Sequence, residues 1–484
     1  MSKPGENDCP LVVDLDGTLL KSDSLFESLV RMAALKPWLL PGVPLWLLET
    51  GKAGLKKRLA PYVAGEASHW PYREEVLALL RGEREKGREI YLATAAHRSI
   101  ALAVAEHLGI FSGVFASNGP VNLKGRVKAE RLRREFGERG FDYLGDSAAD
   151  LPVWREARQA WLVGRESSRL GRQLSMVNPD LRVIPVRSFE WKSLARALRL
   201  HQWVKNLILL VPLFLSGDLS GRRLFPTALA FLSFSLFASG IYIVNDLADI
   251  PHDRRHPDKR QRPFAAGSLS LAAGPPLGLF CLAAGLAAAT WLPASFSLVL
   301  AAYFFLTLLY SFYLKRMVIL DVIVLASFYV GRILAGTLAP GFPISNWLTG
   351  FAGFIFLGLS CLKRSSELRV HGADNRESAP GRSYRVEDIT VLESMASACG
   401  FCSVAILALY IDSVRASERY ASPAILWSLC PLIVYWYGRL AVIVHRGELR
   451  QDPVSFAVSD KGSWFCALAA SAVVALSMLI RVDF

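Results

Sequence analysis

Histidine is scarce in this chain of 484 residues, with only 8, and the 7 cysteines are scattered rather than grouped. That excludes a disulfide framework and a Cys/His metal centre. Cys399 and Cys402 form a CxxC inside an apolar run with no second ligand pair, so the thiols read as packing groups. The opening segment MSKPGENDCP has no apolar core, so no cleavable signal peptide is expected and the N-terminal part should stay in the cytoplasm. No short-period repeat or low-complexity tract is present. The net charge is +13, yet the basic residues form no continuous stripe, which argues against nucleic acid as the partner. Many of them sit in short loops between apolar runs, where topology signals belong. An anionic membrane surface and anionic substrates account for them better.

What the chain has in abundance is apolar sequence, 52% of it, unevenly spread. Up to about Trp191 the composition is charged and mixed; beyond it, long apolar runs recur. We therefore expect two domains, 1–190 and 191–484. In the first, LVVDLDGTLL (11–20), EIYLAT (89–94), a segment near Val114 and DYLGD (142–146) read as strands. Helical patterns separate them: Glu74 to Glu85, up to Leu108, from Lys128, and after Leu151. Alternation of this kind implies a doubly wound, Rossmann-like α/β sheet. The apolar pairs and triplets from Leu25 to Leu48, followed by Lys52, Lys56, Lys57 and Arg58, would form a small helical cap. The second domain is expected to be all-α and polytopic, with about nine transmembrane helices centred near 209, 235, 281, 303, 328, 355, 403, 432 and 472. Basic loops follow the second, fourth, sixth and eighth. The positive-inside rule then puts those loops and the N-terminal domain in the cytoplasm and the C-terminus outside, in an inner-membrane setting.

Two constellations carry chemistry. In the first, Asp14 and Asp16 end a strand, Thr94 ends the next, Lys128 opens a helix, and Asp146 and Asp150 follow another strand in GDSAAD. Open α/β sheets bind ligands at the carboxyl ends of their strands, where all six converge. A carboxylate can attack phosphorus, and a second acid two residues on can protonate the leaving oxygen. Thr94 and Lys128 would hold phosphoryl oxygens, and the carboxylates would hold Mg²⁺. This set closely resembles the phosphoserine-phosphatase-like branch of the haloacid dehalogenase superfamily over residues 8 to 185. The resemblance makes Asp14 the nucleophile and Asp16 the acid/base, with Asp14, Asp16, Asp146 and Asp150 as metal ligands. Lys124 is a rival for the lysine role.

In the second, Asn245, Asp246, Asp249 and Asp253 lie in NDLADIPHD at the end of the second span. Their i, i+3, i+4 and i+8 spacings put them on one helix face, although Pro251 should end regular helix near Ile250 and leave Asp253 in a loop. Acids at a membrane boundary are a functional site by default, and hard oxygens beside a basic loop suit Mg²⁺ with a diphosphate. Arg262 lies just downstream in DKRQRPFAAGSLS; Tyr310, Lys315 and Asp321 end the fourth span; Lys363, Arg364 and Glu367 follow the sixth, with Arg382 beyond. Clusters at three helix ends imply one pocket open to the cytoplasm. NDxxDxxxD, the RPxxxG segment and the nine-span layout resemble the UbiA-type intramembrane prenyltransferases over 195 to 484. After the sixth span that family carries paired aspartates where this chain has Lys363, Arg364 and Glu367. Together with Trp203, Lys205 and Asn206 in HQWVKNLILLVPLF, this resembles the branch that transfers phosphoribose to a polyprenyl phosphate. Phe312 stands three residues before Lys315, where that motif has tyrosine; Tyr310 and Tyr313 flank it.

The resemblances imply Mg²⁺ in both domains, phosphoribosyl diphosphate as donor and polyprenyl phosphate as acceptor, with Lys205, Asn206, Arg262, Tyr310, Lys315, Asp321, Lys363, Arg364, Glu367 and Arg382 as substrate contacts. The phosphatase domain would remove the 5-phosphate of the lipid product. The alternatives are a prenyltransferase with a prenyl diphosphate donor and an aromatic acceptor, and a non-catalytic lipid transporter or scaffold. A homo-oligomer is compatible with the sequence.

Overall fold

The computed structural model describes residues 9–480 apart from 64, 119–120, 187–189, 374–382 and 450–451. Arg382 lies outside the described residues. The chain groups into two compact units, residues 1–198 with 239–280, and residues 199–238 with 281–484. The segment carrying NDLADIPHD thus packs with the α/β part rather than with the bulk of the membrane helices.

The first unit holds a six-stranded parallel sheet in the order β3-β2-β1-β4-β5-β6. The strands are β1 (Leu11–Val13), β2 (Ile90–His97), β3 (Gly113–Ser117), β4 (Asp142–Gly145), β5 (Ala160–Gly164) and β6 (Arg182–Pro185). All three residues of β1 are buried, as a central strand covered on both faces requires. Side-chain alternation sends Leu11 and Val13 into one apolar core and Val12 into the other, the latter shared with Phe141, Tyr143 and Trp154. The order reverses between β1 and β4, which opens a crevice at their carboxyl ends. Helices α1 (Ser24–Leu35) and α2 (Val43–Leu59), joined by a 3-10 turn at Pro37–Gly42, form the cap. Asp23 caps α1 by accepting from the Leu25 and Phe26 amides. The sequence pattern also anticipated helices Glu74–Glu85 and Arg98–Leu108; it did not resolve β5 and β6.

In the membrane-type part, seven helices among the described residues are long and apolar enough to cross a bilayer. They are Gly221–Ala248, Leu271–Ala289, Ala294–Ser311, Leu320–Leu338, Val386–Ile411, Pro423–His445 and Lys461–Leu479. The expected segments near 209 and 355 are helical but fall outside that set. Leu200–Ser216 is short and mostly 3-10 in form, and Asn346–Ala373 carries the charged run from Lys363 to Glu367. One local expectation is corrected. Regular helix ends at Ala248, and Pro251 then serves the first turn of a new short helix, Ile250–Arg255, so Asp253 is helical rather than in a loop. Proline suits that position because the first-turn N–H has no intrahelical partner.

Candidate functional site

At the crevice beyond β1 and β4, oxygens of Asp14, Asp146 and Asp150 lie within 4.8 Å of one another. Gly17 allows this closeness: its φ is +77°, and a Cβ there would sit 2.3 Å from Asp146 Oδ2. Lys128, from the helix Arg126–Phe136, brings a buried cation among the acids. Its Nζ donates to Asp14 Oδ1 at 2.9 Å and to the Tyr143 hydroxyl at 2.8 Å, and lies 3.5 Å from Asp150 Oδ1. Lys124, the rival, is exposed. Thr94 is fully buried, and its hydroxyl oxygen accepts from the Ala96 amide at 2.9 Å, which leaves its proton for a phosphoryl oxygen.

Electrostatics mark the crevice as crowded with negative charge. Burial, with Lys128 opposing it and Asp150 adding to it, pushes Asp14 up to about 6. Burial, then the charges of Asp23 and Asp14, push Asp16 up to about 7. Burial, Asp14 and Asp150 bring Asp146 to about 7. Burial works against the Lys128 cation, but Asp14 and Asp150 outweigh it and hold its pKa above the usual value. Three converging carboxylates, with Asp14 and Asp146 raised, fit a hard divalent cation, which favours ionised forms. The expected set of four acids is reduced to three in this geometry. Asp16 stands apart because its carboxylate accepts from the Ser24 amide at 2.8 Å and the Ser24 hydroxyl at 3.1 Å.

Within the same unit, the structure joins Asp246 and Asp253 through Arg262. The guanidinium Nη1 lies 3.1 Å from Asp246 Oδ1 and 2.8 Å from Asp253 Oδ2. Both acids are buried, and Asp253 Oδ1 is a buried oxygen with no hydrogen-bond partner among the described residues. Burial raises the Asp253 pKa, with Arg262 opposing. Asp249 is exposed and Asn245 half-buried, and the charges of Asp246 and Asp249 both act on Asp253. The Asp249 amide donates to the Asn245 carbonyl at 2.9 Å and the Asp253 amide to the Asp249 carbonyl at 2.8 Å, so helical spacing carries across the turn at Asp249. The orphaned Asp253 oxygen beside a second buried acid still fits a divalent cation as ligand.

In the second unit, Arg364 and Asp321 form a fully buried pair at 2.7 Å. Tyr310 donates its hydroxyl to Asp321 at 2.8 Å, and Arg364 also contacts Glu367. Asp321 follows Ile319, a β-branched residue at φ +67°, whose amide donates to the Tyr384 hydroxyl at 2.8 Å. Such a backbone is costly and tends to occur at functional sites. Lys205 lies 2.5 Å from Asp452 and Lys363 3.9 Å from it, and these two cations hold that acid below the usual carboxylate range against its burial. Asn206 is buried: it donates to Ser235 at 2.9 Å and accepts from Arg332 at 2.8 Å, so it braces Arg332. Lys315 is half-buried in a 3-10 turn, Leu314–Arg316. Asp452 and Arg332 were missed in the sequence. Arg332 had a usable signal, a cation inside an apolar span; Asp452 had none.

An acidic crevice at the switch point of a parallel sheet marks a phosphatase-type domain, and the same chain carries a set of apolar helices of membrane type. The chain belongs to the UbiA prenyltransferase family, whose model matches residues 208–458, and the haloacid dehalogenase-like hydrolase model matches residues 11–155. It is 41% identical over 472 residues to uncharacterized protein y4nM of Sinorhizobium fredii, covering 96% of this chain and 90% of that one. It is 33% identical to nodulation protein NoeC of Azorhizobium caulinodans, over 59% of this chain and 93% of that one. It is also 33% identical to decaprenyl-phosphate phosphoribosyltransferase of Corynebacterium glutamicum, over 60% of this chain and 87% of that one.

Proposed function

We propose that the transferase part moves 5-phosphoribose from phosphoribosyl diphosphate to a polyprenyl phosphate, and that the phosphatase part, residues 1–190, then removes the 5-phosphate. The observation that carries the reading is similarity across most of its length to a protein named decaprenyl-phosphate phosphoribosyltransferase. The cations after the sixth span support it, because Lys363 and Arg364 stand where a second pair of aspartates would favour a prenyl donor.

In the transfer, an oxygen of the lipid phosphate bonds to the anomeric carbon as the carbon–diphosphate bond breaks. The acceptor is already anionic, so no general base is required. Asp246 and Asp253, with Asp249 and Asn245 nearby in sequence, would hold Mg²⁺, which supplies charge neutralisation of the leaving diphosphate. Arg262, Lys205, Lys315, Lys363 and Arg364 bind phosphate oxygens, with Tyr310 and Asp321 orienting Arg364. In the phosphatase, an Asp14 oxygen bonds to phosphorus as the ribose oxygen leaves with a proton from Asp16. Water then cleaves the aspartyl phosphate and returns its proton to Asp16. Thr94 and Lys128 bind the phosphoryl oxygens; Asp14, Asp146 and Asp150 would hold Mg²⁺. Both sites face the cytoplasm at the inner membrane in this reading.

Membranes containing the chain are given radiolabelled phosphoribosyl diphosphate or labelled isoprenoid diphosphates separately. Label from the first enters lipid if the reading holds. Label from the second alone makes the chain a prenyltransferase, and Asp14→Asn should leave the 5-phosphate on the lipid.

A further inference from the structure

The cap carries a surface that the phosphatase chemistry does not use. From Leu35 to Leu48 the chain exposes Leu35, Trp38, Leu40, Leu45, Leu47 and Leu48, with Trp38 69% and Leu48 83% exposed. A soluble domain rarely presents so dense an apolar tip. Its inner side is ordinary core: Leu39, Val43 and Trp46 pack against Met32, Leu55 and Leu59. Gly51, at φ +63° and ψ −173°, breaks α2 between the apolar tip and a basic second half. Lys36, Lys52, Lys57 and Arg58 are exposed around the tip, and Glu49 is the sole acid between positions 36 and 58.

The helix that opens the cap is also tied to the end of a membrane-type helix. Glu27 of α1 receives two hydrogen bonds from Arg254, at 2.7 and 3.0 Å, in a pair whose side chains are 4% and 5% exposed. Arg254 belongs to the short helix Ile250–Arg255, directly after the span Gly221–Ala248. Arg255 lies 3.8 Å from Glu66, which also pairs with Arg31 of α1 at 3.3 Å. All of these residues belong to the first unit, so the cap is bolted to the end of a transmembrane helix.

We propose that residues 35–52 dock into the bilayer surface, with Trp38, Leu45 and Leu48 in the headgroup–acyl boundary and the cations against anionic headgroups. A second copy of the chain would also cover the leucines, but four cations around the tip oppose self-pairing and complement an anionic membrane. The far end of the cap reaches the phosphatase site: Lys56 Nζ donates to the Ala95 carbonyl at 2.5 Å, next to Thr94, and interacts electrostatically with Asp16 and Asp23. One element therefore spans from lipid to nucleophile. Resting on the proposed function, this assigns the phosphatase a lipid-borne phosphate drawn from the membrane rather than a free metabolite.

The test uses the full chain in vesicles of phosphatidylcholine and phosphatidylglycerol, with Cys402 and Cys430, the native thiols that are not buried, changed to alanine. A spin label at Leu48→Cys should be accessible to oxygen and shielded from an aqueous nickel chelate, whereas a label at Leu102→Cys on the exposed side of helix Arg98–Leu108 should be open to nickel. Trp38→Glu with Leu48→Glu should lower kcat/KM for a vesicle-borne lipid phosphate, relative to a water-soluble phosphate ester, by about tenfold or more. A water-exposed label at position 48 overturns the proposal, and so does immobilisation that rises with the protein-to-lipid ratio. A label in the bilayer on a chain that hydrolyses no lipid phosphate supports the docking and refutes the substrate reading instead.

Discussion

Replacing Glu27 with alanine removes one side of a buried ion pair that ties the cap to the acidic motif. Both carboxylate oxygens are engaged by Arg254, and neither side chain has appreciable water to fall back on. Breaking such a pair on one side costs about 3–5 kcal/mol, because the remaining charge stays buried. Arg254 keeps its bond to the Ala265 carbonyl at 3.0 Å, so the lower end applies. About 3 kcal/mol corresponds to roughly a hundredfold rise in the local opening equilibrium. Hydrogen exchange on the full chain should show that loss of protection in both α1 and Ile250–Arg255, two segments far apart in sequence. Glu27→Leu combined with Arg254→Met should restore most of it, since no orphaned charge remains. Protection within about twofold of the wild type in Glu27→Ala would refute the claim that this pair holds the two segments together.

Three further outcomes are expected. Lys128→Met should lower phosphate-ester hydrolysis by about 10²–10³-fold, as removal of a preorganised charge does, while label from the diphosphate donor still enters lipid. Gly17→Ala, which combines a left-handed backbone with a contact on Asp146, should cost about 10²-fold in the same hydrolysis assay with little change in transfer. For pH, Asp146 is an acid raised in the folded state from 3.8 to about 7, so its contribution to stability is full below 3.8 and lost as pH rises towards 7. In chelator, the wild type should therefore lose thermal stability over that window more steeply than Asp146→Asn; parallel pH profiles would contradict the crowding of carboxylates.

The residues whose placement was legible in the sequence were those fixed by a few neighbours. DLDGT, Thr94 and GDSAAD each end or follow a short strand, and the sheet brings strand ends together whatever lies between. Lys128 was likewise legible from its place at a helix start. What stayed hidden was pairing across sequence distance. Nothing near Glu27 announces Arg254, and nothing near Lys205 announces Asp452, because those partners are chosen by packing. Pro251 was expected to leave Asp253 in a loop; instead helical bonding runs on across Asp249, and Asp246 and Asp253 meet the same arginine. Strands β5 and β6 escaped because AWLVG and RVIP are too short to show a period. The sixth span read as one more apolar run, yet its buried Arg364 shows that the helix is built around a charge pair.

The guanidinium of Arg262 between Asp246 and Asp253 offsets one of the two negative charges at that helix end. A lone anion finds no surplus of positive charge there, and a lone cation can use the open Asp253 oxygen but must share the others with the arginine. A visitor bearing both signs meets no such obstacle: it trades partners on both sides in one exchange, giving the acids a new cation and the arginine a new anion. On the proposed function, such a turnstile would favour a metal-loaded diphosphate over either component alone.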